Sequence, residues 1–228
     1  MKKDIVLISG ALATPKLWQH QVELMQKTMN VHYVDVLQSD SISEMAIRFA
    51  QNAPEQFTLI GFSLGGYVAL ELFRHVPNRI KKLILINSGA KPISEKGQLE
   101  RERSLDLIEK GKFDFLVKLI FKNSIHNKNK HDSLLPLAQE MAHEVGPENY
   151  KYQLKAILDK PDHLSILSMI KCPTLLLASQ HDKVMPYKHS EHMATHIQHS
   201  ELRYLENCGH LATLEQPETI NDIISGWL

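Results

Sequence analysis

Short apolar runs rich in β-branched residues recur along the chain, each separated from the next by a longer amphipathic stretch. The runs cover residues 4–9, 31–36, 57–62, 82–87, 174–179 and 201–205. Leu83-Ile84-Leu85-Ile86 and Leu175-Leu176-Leu177 contain no polar position, the pattern of a strand covered on both faces. Between the runs, apolar residues fall at helical spacing over 15–29, 42–53, 64–75, 187–196 and 217–227. Strand and helix in alternation predict an α/β fold, a mostly parallel, doubly wound sheet with helices on both faces.

One stretch breaks the alternation. From Lys91 to about Ile170 there is no strand pattern, only helical periodicity over 98–110, 113–121, 134–144, 148–158 and 163–169. A polar linker, His126-Asn127-Lys128-Asn129-Lys130, divides it. A helical block between two buried strands reads as an insertion at the carboxyl edge of the sheet, where ligands bind in open α/β folds. The expected organisation is a core of residues 1–90 and 171–228 carrying a small helical cap, or lid, of residues 91–170.

Composition narrows the partners. The 228 residues suit one compact domain. Lysine plus arginine equals aspartate plus glutamate, 26 each, so no net basic excess attracts nucleic acid or an anionic membrane. The two cysteines, Cys172 and Cys208, form neither a disulfide framework nor a zinc spacing. The apolar run Ile5-Val6-Leu7-Ile8 is too short for membrane insertion or a signal peptide and has no small-residue cleavage site after it. A cytoplasmic protein with reduced thiols is expected. Nothing in the sequence specifies an oligomeric state.

The chemistry begins at Gly61-Phe62-Ser63-Leu64-Gly65-Gly66, between a strand pattern and a helical one. G-x-S-x-G in that setting sets a serine on a tight, strained turn. Side chains two positions to either side would collide, so glycine occupies both. The helix that follows directs its dipole and free N–H groups towards developing negative charge. A serine N-cap after a glycine-rich turn is the structural alternative. Neither a P-loop ending nor the spacing of a dinucleotide fingerprint is present.

A serine hydroxyl needs a base to take its proton, and thirteen histidines are available. His126 and His131 flank the polar linker, while His189, His192, His196 and His199 lie on or just after one helical segment. Without an H-E-x-x-H pattern they read as surface groups rather than metal ligands. His210 differs because it follows the last strand run and the turn Glu206-Asn207-Cys208-Gly209, where a base can project over the sheet. Gly209 is expected to give that turn the freedom to aim it. Asp182 likewise follows the run 174–179 and can hold the imidazole tautomer. The order Ser63, Asp182, His210 is that of a Ser…Asp…His triad on this fold. Cys208 is expected to be a buried structural cysteine, and Asp162 a helix cap.

With these motifs the sequence resembles the α/β-hydrolase superfamily over almost its whole length. The matching segments are Ile8-Ser9-Gly10-Ala11, the elbow Gly61–Gly66, Cys172-Pro173-Thr174-Leu175-Leu176-Leu177 with Asp182 and Pro186, and Cys208-Gly209-His210 with Leu214-Glu215-Gln216-Pro217-Glu218. The resemblance implies an oxyanion hole made by the backbone N–H groups of Ala11 and Leu64. Many relatives carry His-Gly where this chain has Ser9-Gly10; the donor is backbone, so the departure leaves it in place. The resemblance also trims the chemistry. Dehalogenases and epoxide hydrolases of this kind have aspartate where Ser63 stands. Menaquinone-pathway lyases have arginine at Tyr67, and prolyl aminopeptidases have tryptophan at Leu64. A small or medium acyl ester or thioester is the implied substrate, as in carboxylesterases of the pimeloyl-ester type, cleaved through an acyl-enzyme without cofactor or metal. Leu12, Trp18 and Phe62, with the apolar faces of 113–121, are the expected pocket wall. A ligand-binding protein of the same fold with little turnover, or a C–C bond hydrolase or lyase, stands as the alternative.

Overall fold

The computed structural model describes residues 2–228. Its strands are β1 (Lys3–Ile8), β2 (Met29–Tyr33), β3 (Phe57–Phe62), β4 (Ile80–Ile86), β5 (Thr174–Ser179) and β6 (Ser200–Leu205). Its helices are α1 (Gln19–Met25), α2 (Ile42–Ala50), α3 (Leu64–His75), α4 (Glu95–Glu109), α5 (Phe113–Ser124), α6 (His131–Leu158), α7 (Leu164–Leu167), α8 (Lys188–Ala194), α9 (Ala212–Glu215) and α10 (Pro217–Trp227). The strands form one sheet in the order β2-β1-β3-β4-β5-β6 with every pair parallel.

The two-residue period of a strand sorts the core into two layers. Ile5, Leu7, Ile60, Phe62, Ile84, Ile86, Leu175 and Leu177 face one side, beneath α1 and α10. Val6, Ile8, Leu59, Leu83, Leu85 and Leu176 face the other, beneath α2, α3 and α8. The chain enters the sheet at β1, steps outward to β2, then returns past β1 to begin β3. The strand order therefore reverses between β1 and β3, and their carboxyl ends flank the crevice in which ligands bind.

No strand lies between β4 and β5, as the periodicity predicts. Ile108, Phe113, Leu116, Val117, Phe121, Met141, Val145 and Leu154 from α4, α5 and α6 join the apolar layer of the first sheet face. The helical block is thus packed on the sheet rather than tethered beside it. α6 is two helices, 131–145 and 147–158, hinged where Gly146 takes φ 75° and Pro147 opens the second segment.

Differences from the sequence pattern have local causes. The apolar stretch expected as a helix over 15–29 is a 3-10 turn at Pro15–Trp18, then α1, with Met29 already in β2. Val34 and Val36 lie beyond the end of β2 but are buried; apolarity there marks burial, not strand pairing. β4 stops at Ile86 because Asn87 takes φ 46°, a left-handed conformation in which a short polar side chain is tolerated.

Candidate active site

Ser63 sits between β3 and α3 with φ 52° and ψ −116°, a conformation held only where its surroundings over-determine it. A Cβ on Gly61 would come 2.5 Å from the Gly65 carbonyl oxygen, and one on Gly65 would overlap the Ile8 carbonyl. Glycine at both positions lets α3 start against the ends of β1 and β3. The turn is closed by the Ser63 N–H donating to the Ile86 carbonyl (3.0 Å) and by the Ser88 hydroxyl donating to the Ser63 carbonyl (2.8 Å). The Ser63 side chain makes no cap bond to α3. Its Oγ lies 2.9 Å from His210 Nε2.

The loop after β6 delivers His210, and the loop after β5 delivers Asp182. Asp182 Oδ2 is 2.6 Å from His210 Nδ1. Its other oxygen, Oδ1, accepts the N–H groups of Val184 and Met185, both at 2.8 Å. The Asp182 side chain is fully buried and that of His210 nearly so. A carboxylate on Nδ1 leaves Nε2 as the nitrogen free to accept a proton. The three predicted side chains, from three different loops, form one continuous relay.

Two residues not singled out from the sequence hold this relay in place. Asn87 donates to the carbonyl of His210 at 2.8 Å and to Ser179 Oγ at 2.9 Å, while its Oδ1 accepts the Ser179 N–H at 2.8 Å. Glu215, 1% exposed, accepts the Gly209 N–H and the His126 N–H, each at 2.9 Å. The left-handed propensity of an Asn directly after a strand was a signal for the first. The buried carboxylate lies in the matching segment Leu214-Glu215-Gln216-Pro217-Glu218, which gave it no role of its own. Gly209 does not serve as a flexible aiming point: its φ is not positive, and a Cβ there would stand 2.5 Å from the Ser124 carbonyl and 2.6 Å from the His126 nitrogen. It is small so that the His210 loop can lie against the end of α5.

Ala11 and Leu64 bring their backbone to the site from the ends of β1 and β3. Among the described residues neither main-chain N–H has a partner. The neighbouring Leu12, at φ 58°, donates its N–H to Gln153 Oε1 at 3.0 Å. Gln153 is fully buried in α6, so the helical block itself holds the β1 loop in its strained form.

Ser63 stands where two cavities meet. The larger, about 480 Å³, is mainly apolar and includes Leu12, Phe62, Leu116, Ile120, Leu154 and His210. The smaller, about 290 Å³, is bounded by Leu64, Tyr67, Arg101, Lys160, Met185 and His189. Leu12 and Phe62 thus reach the expected pocket wall. Trp18 does not. It is fully buried below the β1 loop, its Nε1–H donating to Ser9 Oγ at 3.1 Å, because an indole surrounded by core needs a hydrogen-bond partner there.

Burial shapes the titration of groups around the smaller cavity. Desolvation, followed by repulsion from Arg101, lowers the Lys160 pKa to about 7. Desolvation lowers His189 and raises Tyr67. Cys208, fully buried as expected, has its thiol pushed up to about 12 by burial. Asp162 accepts the N–H of Leu164, the first residue of α7, at 2.9 Å, but it lies one position before the N-cap, which is His163 and makes no side-chain cap bond, so the expected cap is only an adjoining turn.

A family model described as the alpha/beta hydrolase fold matches residues 44–217, the greater part of the chain. The chain belongs to the α/β-hydrolase family. This hydrolase is similar to a protein of Serratia proteamaculans that bears the provisional name carbamate hydrolase RutD, with 26% identity over 98% of this chain and 90% of that one. It is also similar to the pimeloyl-[acyl-carrier protein] methyl ester esterase of Nitrosomonas europaea, with 24% identity over 94% of this chain and 91% of the relative. Among solved structures, a thermophilic esterase from Thermogutta terrifontis with malate bound shares the fold at a TM-score of 0.88. It is 23% identical and is covered over 89% of its length by the whole of this chain. No helix among the described residues is long and apolar enough to cross a membrane.

Proposed function

We propose that this α/β-hydrolase is a serine esterase or thioesterase, acting on a small or medium acyl substrate through an acyl-enzyme on Ser63. The observation that carries the reading is the relay from Ser63 Oγ through His210 to buried Asp182, at 2.9 and 2.6 Å. His210 takes the hydroxyl proton as Ser63 attacks the carbonyl carbon, then delivers it to the leaving oxygen or sulfur. Water attacks the acyl-enzyme with His210 again as base. Asp182 holds the tautomer and stabilises the imidazolium. The unpaired N–H groups of Ala11 and Leu64 receive the oxyanion, each donor worth roughly 2.7–4 kcal/mol in comparable sites. Residues 91–170 act as the cap that excludes water from the larger cavity, and the chemistry requires neither metal nor organic cofactor.

Hydrolysis of p-nitrophenyl esters from acetate to laurate by wild type and Ser63→Ala tests this. Loss of such a nucleophile costs on the order of a millionfold in turnover, so the variant is expected to fall to background. Retained activity in the variant would remove Ser63 from its role. Stoichiometric labelling of Ser63 by a fluorophosphonate without steady turnover would favour the ligand-binding alternative.

A further inference from the structure

The two cavities at Ser63 have different chemistry, and their placement assigns the two halves of a substrate. His210 borders only the larger one. The leaving group must receive its proton from His210, so it extends into the larger, mainly apolar cavity. The acyl chain then turns into the smaller.

That smaller cavity is lined by five cationic side chains, Lys91, Lys96, Arg101, Lys160 and Lys183, against a single carboxylate, Glu100; Arg101, Lys183 and Glu100 also border the larger cavity, with Arg103, whereas Lys91, Lys96 and Lys160 border only the smaller. Lys96 is a solvated surface group, its side chain 88% exposed, and Lys183 is exposed as well. The inner wall differs. Arg101 is 22% exposed and shares Glu100 with Lys96, at 3.1 and 4.0 Å. Lys160 is half-buried and its ammonium lies 3.7 Å over the Tyr67 ring; among the described residues it makes no hydrogen bond and pairs with no carboxylate. The Tyr67 hydroxyl, on a residue only 3% exposed, is buried without a hydrogen-bond partner among the described residues. Buried donors are ordinarily satisfied. The phenol oxygen has no accessible surface and meets no ligand, but the Lys160 ammonium over its ring is an unpaired cation on a cavity that opens on the nucleophile.

We propose that this cavity is an anion subsite, and that the preferred substrate is a half-ester of a short dicarboxylic acid whose free carboxylate docks on Lys160 and Arg101. The proposal rests on Ser63 as nucleophile for the fate of the substrate. Its binding claim is independent of turnover. Water and the half-ester yield the dicarboxylate and the alcohol, the alcohol taking its proton from His210. The arrangement is specific because a neutral acyl chain of equal length leaves the Lys160 and Arg101 cations without an anion while desolvating them.

Binding to Ser63→Ala protein separates the two readings, since it needs no chemistry. Monomethyl adipate is expected to bind at least about tenfold more tightly than methyl hexanoate, the range for one hydrogen bond to a charged group. Adding Lys160→Met, or separately Arg101→Gln, should abolish most of that ratio. Lys27→Gln, at a lysine bordering neither cavity, should keep it. Equal binding of the two esters, or a ratio unchanged by both inner-wall variants, overturns the subsite. A gain for hexanoyl glycolate, which carries its carboxylate on the alcohol, overturns the assignment of the acyl side. In wild type the same ratio should appear in kcat/KM. Selective binding without hydrolysis of either methyl ester would leave the subsite standing and count against the esterase reading.

Discussion

At the scale of single residues, the site is held by bonds to groups that never meet substrate. Asn87 is the clearest. Its amide spans the end of β5 and the His210 carbonyl, so the same side chain sets the distance between the loops that carry Asp182 and His210. Asn87→Ala would leave the buried Ser179 N–H without its side-chain acceptor, at a cost of about 1–3 kcal/mol for an unsatisfied group. It would also set a residue less tolerant of φ 46° in a left-handed position. Denaturant unfolding should record that loss of stability, and kcat should drop with KM little changed because the relay, not the pocket, is disturbed. Unchanged stability would mean that the loops are fixed by other contacts. That Ser63, Asp182 and His210 would meet was legible in the sequence, since each follows a strand run and their order is the one expected of a Ser…Asp…His set. Asn87, Gln153 and Glu215 were not, because a positioning residue is defined by a partner distant along the chain. Leu12 and Gln153 are 141 positions apart.

At the scale of elements, apolar runs located β3 and β5 to the residue, and apolar residues at helical spacing located α3 and α10. Where prediction slipped, one periodicity covered two structures. Apolar residues 15–29 serve a 3-10 turn, a helix and the first residue of a strand in turn. The break in α6 shows the reverse: the expected gap between 144 and 148 coincides with Gly146 and Pro147. The elbow is the element most tightly specified by packing. Gly65→Ala would drive a methyl into the Ile8 carbonyl, backbone that cannot swing aside. Overpacking of this kind typically costs 1–3 kcal/mol, roughly, and here it also forces β1 from α3 beside both unpaired N–H groups. The expected outcome is a lower melting temperature together with loss of fluorophosphonate labelling at Ser63. Normal labelling in a stable Gly65→Ala protein would show that the close approach is not required.

At the scale of the whole molecule, the helical block lays a charge imbalance over the end of the sheet: Lys91, Lys96, Arg101 and Lys160 come from residues 91–170 with the lone Glu100, and the sheet side adds only Lys183. Lys160 borders a cavity with Arg101, Glu100 and Lys96 from α4, Lys91 after β4, Lys183 and His189 around β5 and α8, and Tyr67 from α3. His163, buried beside Glu71, also feels its charge. Desolvation and Arg101 lower its pKa from 10.5 to about 7. Between those values the unfolded chain binds more protons than the folded one, so this residue makes stability rise with pH across the window and fall as pH drops towards 7. Lys160→Met removes that dependence. The variant should be the more stable protein at and below pH 7, by an amount on the order of a few kcal/mol at most, and the difference should shrink as pH approaches 10. Chemical denaturation at several pH values measures it directly. An anion docked on Lys160 favours the charged amine, so binding of monomethyl adipate to Ser63→Ala protein at pH 8 should take up protons. Calorimetry in buffers of different ionisation enthalpy reads that uptake, which Lys160→Met should abolish. A stability profile that is flat near Lys160's titration, with no proton uptake on binding, would place the amine in ordinary solvent. A destabilising lysine that becomes favourable only with an anion beside it is a functional group retained at a cost to the fold.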